Sequence, residues 1–322
     1  MRAIILSAGL GERLRPLTLK RAKPAIEFLN IPMLAFPYYW LDSVDVSHVV
    51  FNTHYLPETV KHAAMHVVSP TCGLHLSFEP EILGSGGGIG QAYVHLQWDK
   101  TFAVANADAL VVFEELDTIE QMLHFHLKKD ALATLLVCEL DGVGQKYGGV
   151  WLDNSGEVSN FGKTPNKDYL RGLHFASIMF LSHRIWEYLP HGPSNILFDV
   201  LQPAIAQGEK VYGFIVDKMR WFETGNTADY LAATKACLEM LARKDPGLLA
   251  ILERFTPEFE RQSKLKDLQL IASEASLSDN VNLQGFGVIG ADIPPRCNLE
   301  NVVILPGAHL QAGAFLQNTV LI

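Results

Sequence analysis

Between Ser7 and Pro24 the chain concentrates residues suited to hold a polyanion: Gly9 and Gly11, then Arg13 and Arg15, then Lys23. Glycine carries no Cβ, so backbone N–H groups beside Gly9 and Gly11 can approach phosphate oxygens closely, while the cations supply the charge such a ligand requires. The apolar run Ala3-Ile4-Ile5-Leu6 reads as a buried strand, which sets this loop at a strand's carboxyl end, where open α/β sheets bind ligands. Two better-known phosphate loops do not fit. The dinucleotide fingerprint needs a third small residue where Leu14 stands, and Gly11 is followed by Glu12 rather than by the Lys of a Walker loop.

The order Gly9-x-Gly11-x-Arg13-x-x-Pro16-x-Thr18, followed by Lys23-Pro24, resembles the signature of the sugar-1-phosphate nucleotidyltransferases, the NDP-sugar pyrophosphorylases. The resemblance implies that a sugar-1-phosphate oxygen attacks the α-phosphorus of a nucleoside triphosphate while pyrophosphate leaves. Nucleophile and leaving group are both anionic, so such a site needs cations and a metal more than a strong base. By the same resemblance Arg13 and Lys23 are the catalytic cations, Arg13 on the β- and γ-phosphates and Lys23 near the α-phosphate. The backbone of Ala8, Gly9 and Gly11 then surrounds the nucleotide. Asp108 falls at the family's metal-binding aspartate, with Ala107 in place of a glycine, and Glu223 falls where relatives carry a second metal aspartate. Hard oxygen ligands of this kind suit Mg²⁺.

The stretch Phe78 to Gly88 matches the family's base loop. Gly84, Ser85 and Gly86 are expected to let a base lie against the backbone, and Glu79 to accept hydrogen bonds from the imide edge of guanine or uracil, which adenine lacks. Lys163 matches the lysine that grips the sugar phosphate, with Gly148 and Ser177 beside it. Two departures fall here: Gly162 stands where the family has a glutamate, and Ser177 where it has a glycine. The glycine cluster and Asn52-Thr53-His54 are most similar to guanylyltransferases acting on mannose-1-phosphate and uridylyltransferases acting on N-acetylmuramate-1-phosphate, with GTP placed ahead of UTP. A non-catalytic nucleotide-sugar-binding relative that regulates a partner is the alternative; retention of Arg13, Lys23, Asp108 and Lys163 argues against it.

The elements that must position these residues alternate. Apolar runs at 47–52, 74–78 and 101–105 are separated by helical patterns, the rhythm of a mostly parallel sheet covered by helices. From Ala131 to about Leu181 the pattern turns strand-rich, with a hairpin signal at Asp153-Asn154-Ser155-Gly156. The expected fold class is therefore α/β: a Rossmann-like nucleotidyltransferase domain with a mixed sheet over residues 1–243. A helical linker is expected over 244–279. In the tail, Ile293 and Leu299, then Ile304, Leu310, Leu316 and Ile322, recur every six residues, which predicts a short parallel β-helix over 280–322, left-handed as in the family. Relatives use such a β-helix for oligomer contacts, so a homo-oligomer is expected.

The 322 residues are 48% hydrophobic with a formal net charge of -9, enough for a substantial core and unfavourable for nonspecific nucleic-acid or anionic-membrane binding. Cys72, Cys138, Cys237 and Cys297 have no metal-type spacing and no secretory h-region opens the chain, which fits a reducing cytoplasm. His124 and His126 sit two apart on a helical pattern, diverge, and read as surface or boundary residues.

Overall fold

Leu6 ends the central strand of a nine-stranded sheet, which delivers the following glycine loop to the sheet's carboxyl edge. Strands β1 (Arg2–Leu6), β2 (His48–Thr53), β3 (Gly73–Phe78) and β4 (Thr101–Asn106) are parallel, in the order β3-β2-β1-β4. The structure is a computed structural model that describes residues 1–165, 169, 171–256, 264–266 and 268–322. Ala3, Ile4 and Ile5 are fully buried, as expected for a strand covered on both faces. Helices α1 (Ala35–Asp42) and α2 (Pro57–Val67) follow, and then α3 (Gly84–Gln91).

The second half turns the sheet mixed. After β5 (Leu110–Phe113) and α4 (Thr118–Lys129) come β6 (Ala133–Cys138), β7 (Gly149–Leu152), β8 (Val158–Gly162) and the long β9 (Arg171–Ser182). β9 lies antiparallel to β4, β6 and β7, while β7 and β8 form the expected hairpin. A register shift in β9 between Phe175 and Met179 brackets Ser177, whose φ of +67° is left-handed. A glycine, as expected at this position from the family pattern, would adopt that conformation freely, so it marks a real cost for serine here. Then β10 (Val211–Ile215) pairs with β6, and β11 (Met219–Phe222) pairs antiparallel with β5 outside the main sheet.

Helix α5 (Thr227–Ala242) begins at Asn226, whose side chain accepts from the Asp229 N–H at 3.0 Å. Its successor α6 (Pro246–Phe255) begins at once, with Asp245 as the cap and proline at its first position. The linker is thus not helical throughout. Residues 257–263 and 267 lie outside the described set, and β12 (Gln269–Ile271) already joins the tail sheet, pairing in parallel with β13 (Asn282–Ile289). Stacking therefore begins about ten residues before the expected Asn280.

Strands β14 (Asn298–Ile304) and β15 (Phe315–Leu321) complete the parallel stack. Register places Leu283, Leu299 and Leu316 in one ladder and Ile289, Ile304 and Leu321 in another. Ile293, Leu299, Ile304, Leu310 and Leu316 of the expected recurrence lie in this inward cluster, but Leu321 takes the last position and Ile322 packs against the sheet domain's core instead. Nor is the tail separate from the sheet domain. Val288, Val303, Leu305 and Val320 share one hydrophobic cluster with Tyr230, Leu231 and Leu238 of α5.

Candidate active site

The loop after β1 is held open by its own apolar and hydroxyl side chains. Leu14 and Leu17 are buried and pin short helical turns at Glu12–Leu14 and Leu17–Leu19. Gly11 adopts φ +63°, and a Cβ there would fall 2.8 Å from Thr18 Cγ2 and 3.2 Å from Lys23 Cβ. The Thr18 hydroxyl donates to the Gly11 carbonyl at 2.9 Å. Gly11 and Thr18 therefore belong to one fold requirement. At Gly9, by contrast, an added Cβ would meet no protein atom within 4 Å, so that space is open to a ligand.

This loop lines a cavity of about 520 Å³ together with Lys23, Pro24, Ile82, Ala107, Asp108 and Gly225. Within or beside it the four expected charged residues form two crossed ion pairs. Lys23 Nζ lies 2.5 Å from Asp108 Oδ2, and Arg13 Nη2 lies 3.8 Å from Glu223 Oε1. The two carboxylates come from distant sequence but from adjacent strand ends. Phe222 is opposite Leu110 in the β11–β5 register, so Glu223 and Asp108 emerge at the same end of that pair. Glycine at 225 makes room for the Arg13–Glu223 pair: a Cβ there would fall 2.5 Å from Glu223 Oε1 and 2.7 Å from Arg13 Nη2.

Could Asp108 and Glu223 hold a metal? Both are hard oxygen donors with part of their surface open, 41% and 26% of their side chains respectively. Among the described residues no group of three or more His, Cys, Asp or Glu is arranged to hold an ion unaided. The pair fits Mg²⁺, which is ordinarily held by one or two carboxylates and completes its shell from phosphates and water.

The base loop differs from expectation. Glu79 is fully buried; one carboxylate oxygen accepts from Asn52 Nδ2 at 2.7 Å and the other from the Leu83 N–H at 3.0 Å. An acceptor without accessible surface cannot read a base edge, so the expected role of Glu79 is corrected to an internal brace. The glycines are likewise committed to protein. The cluster is itself helix α3; a Cβ on Gly84 or Gly86 would meet Ser194 at 2.6 Å, and one on Gly88 would meet Asn52 Nδ2 at 2.7 Å. Ser85 Oγ accepts from the Ile196 N–H at 2.9 Å. Gly84, Ser85 and Gly86 are thus explained by close packing, and none of them lines the cavity.

Sequence reasoning missed Ser7. Its N–H donates to Asn52 Oδ1 at 2.6 Å and its hydroxyl to the Asn52 carbonyl, and Asn52 in turn donates to Glu79. This buried chain ties the phosphate loop to the start of α3. Ser7 is small and stands two residues before Gly9, a weak signal; Asn52 near the end of an apolar strand is the stronger one.

In the other half, register brings Gly149 opposite Gly162, and Gly148 approaches the Gly162 Cα, so Gly148 and the exposed Lys163 share one corner. Ser177 occupies the bulge of β9, and none of the three lines the 520 Å³ cavity. His126 is buried rather than peripheral, 2% exposed, with Nδ1 2.9 Å from Thr134 Oγ1. Ala8 is buried beneath the loop, and all four cysteines are free and buried. Among the described residues no helix is long and apolar enough to cross a membrane.

Known proteins share this architecture. Residues 2–240 match the nucleotidyl transferase family model. A probable mannose-1-phosphate guanylyltransferase 2 of Arabidopsis thaliana is 27% identical over all of this chain and 86% of its own length. Mannose-1-phosphate guanylyltransferase 1 of the same plant is 30% identical over 77% of this chain and 68% of its own. HddC from Yersinia pseudotuberculosis, solved in complex with GMP-PN, shares the fold with a TM-score of 0.57 at 23% identity, covering 72% of this chain and 97% of its own. The chain therefore belongs to the sugar-1-phosphate nucleotidyltransferase family.

Proposed function

We propose that this protein joins GTP to a sugar-1-phosphate of the mannose-1-phosphate type, forming a GDP-sugar and releasing pyrophosphate. The crossed pairs Lys23–Asp108 and Arg13–Glu223 around one cavity are the observation that carries this reading. They hold two cations and two anions ready for a ligand of opposite needs. Phosphates take Lys23 and Arg13; the freed carboxylates take the counter-ion. The sugar phosphate oxygen forms a bond to the α-phosphorus as the α–β phosphoanhydride bond breaks, and pyrophosphate departs with the bonding electron pair. Lys23 neutralises charge at the α-phosphate and Arg13 at the departing phosphates. Asp108 and Glu223 would hold Mg²⁺, which supplies further charge neutralisation on the phosphates.

GTP rather than UTP rests on the guanylyltransferase relatives, since Glu79, the side chain expected to make that choice, is buried. Lys163, Gly148 and Ser177 form the sugar-phosphate corner in this reading. A cytoplasmic reaction and assembly through the β-helix belong to the same proposal; Phe315, 69% exposed on β15, supports the latter. The deciding experiment is pyrophosphate release with GTP, UTP and ATP against a panel of sugar-1-phosphates, with and without chelator. Release that needs both GTP and a sugar-1-phosphate, and stops with chelator, is expected. Release independent of sugar phosphate would overturn the assignment.

A further inference from the structure

His174 is placed where a buried polar group should have partners and has none. It stands on β9 opposite Cys138 of β6, and both imidazole nitrogens are buried without a hydrogen-bond partner. Folded proteins rarely leave such groups unmatched, so each instance calls for a reason. Burial pushes the imidazole down to about 4, so it is neutral near pH 7 and carries one donor and one acceptor.

Its surroundings point to a ligand rather than to a packing accident. The Trp221 ring meets it edge-on at 4.4 Å between centroids, and Tyr147 covers it at 5.4 Å. Trp221 lies two residues before Glu223; Tyr147 lies next to Gly148 in the corner that contains Lys163. His174 is thus at the junction between the crossed ion pairs and the sugar-phosphate corner. The cover belongs to a turn with Gly142 at φ +88° and Gly144 at φ +81°, conformations open to glycine, and the exposed Lys146 ammonium rests over the Tyr147 ring at 4.7 Å. Tyr147 is itself half-buried between the exposed Lys146 and Gly148; its ring also meets Trp221 at 5.9 Å, and its backbone is tied only within the turn, to Gly142 and Gly144.

We propose that His174 is a specificity-determining residue for the sugar: Tyr147 moves off the imidazole when the sugar-1-phosphate enters, and a sugar hydroxyl pairs with the nitrogen it uncovers. A hydroxyl both donates and accepts, so it matches either tautomer, whereas a phosphate or carboxylate oxygen only accepts. The faces of Trp221 and Tyr147 suit the C–H face of a pyranose ring. The assignment also accounts for Gly162, which leaves this corner without the side-chain carboxylate of relatives. It rests on the functional reading above.

The test uses the full chain, with ¹⁵N-labelled histidine for imidazole spectra and His174→Phe and His174→Asn for kinetics. Adding mannose-1-phosphate alone is expected to shift one imidazole signal that is missing from both variants. His174→Phe is expected to be at least as heat-stable as wild type, because an unmatched polar group is removed. Its KM for sugar-1-phosphate should rise tenfold or more, with the KM for GTP within twofold. Unchanged sugar KM in both variants, with no imidazole shift at saturating sugar phosphate, would overturn the role. Should the Phe variant fail to fold, the Asn variant and the wild-type spectrum decide. If wild-type protein releases no pyrophosphate with any sugar-1-phosphate, the functional reading fails, and the spectral titration with the same panel still judges His174 by itself.

Discussion

Lys23 Nζ and Asp108 Oδ2, 85 residues apart in sequence, meet at 2.5 Å across the mouth of the phosphate loop. The lysine side chain is only 12% exposed and the aspartate 41%, so the pair straddles the boundary between protein and cavity. The carboxylate holds the ammonium at the cavity's edge, and a phosphate of greater charge can take the carboxylate's place at the lysine.

Replacing Lys23 by Ala is therefore expected to lower pyrophosphate release by roughly a hundredfold or more, the usual loss for one oriented transition-state donor. Asp108→Asn should lower it by a comparable factor and raise the Mg²⁺ concentration needed for half-maximal rate. Single-turnover kinetics across a Mg²⁺ series checks both. A Lys23→Ala protein with wild-type rates would remove the ammonium from the mechanism.

Gly225→Ala tests the crossing itself. The added methyl would fall 2.5 Å from Glu223 Oε1 and 2.7 Å from Arg13 Nη2, so one of the two side chains must leave. Both contacts are the far ends of long, partly exposed side chains, so the fold should lose only about 1 kcal/mol, the low end of the range for overpacking. Turnover should fall at least tenfold. Calorimetry beside steady-state kinetics separates these outcomes; equal rates for both proteins would show that the Arg13–Glu223 pair is dispensable.

Glu79→Gln addresses the base loop. An amide has one acceptor oxygen where the carboxylate has two, so the NH₂ group would face either Asn52 Nδ2 or the Leu83 N–H, donor against donor. The loss should be about 1–3 kcal/mol of stability for a buried unmatched group. The ratio of kcat/KM for GTP to that for ATP should stay unchanged. A relaxed ratio at full stability would restore Glu79 to the base edge.

The contrast between Gly9 and Gly86 shows what was legible in the sequence. The phosphate loop could be read because its chemistry is local: glycines, cations and the Thr18 hydroxyl are neighbours in sequence and fold on one another. The parallel strands and the stacked tail were legible for the same reason, as periodic apolar patterns. The α3 glycines misled because a glycine needed for backbone approach looks alike whether the approaching group is a ligand or Ser194. Glu79 misled because its partners, Asn52 and Leu83, are set by sheet topology. That Asp108 and Glu223 emerge at the same end of one strand pair follows from the β5–β11 register, which no local pattern states.

The last expectation concerns acid. His126 is 2% exposed, and burial, the dominant cause, together with the Arg184 charge pushes its imidazole down to about 4, against a smaller opposing effect of Asp130. Its ring contacts Thr134, itself fully buried on β6. In the unfolded chain the same imidazole takes a proton near pH 6.5, so the unfolded state binds more protons between about pH 6.5 and 4. Stability contributed by the neutral ring is thus present above pH 6.5 and is lost as the pH falls through that window, by an amount on the order of 3 kcal/mol. His126→Gln keeps a hydrogen-bonding group toward Thr134 but cannot titrate, so it should be less stable than wild type at pH 8 and show a flatter decline toward pH 4.5. Urea midpoints at half-unit pH steps measure both slopes. Parallel slopes for the two proteins would show that His126 does not govern the acid sensitivity of this fold.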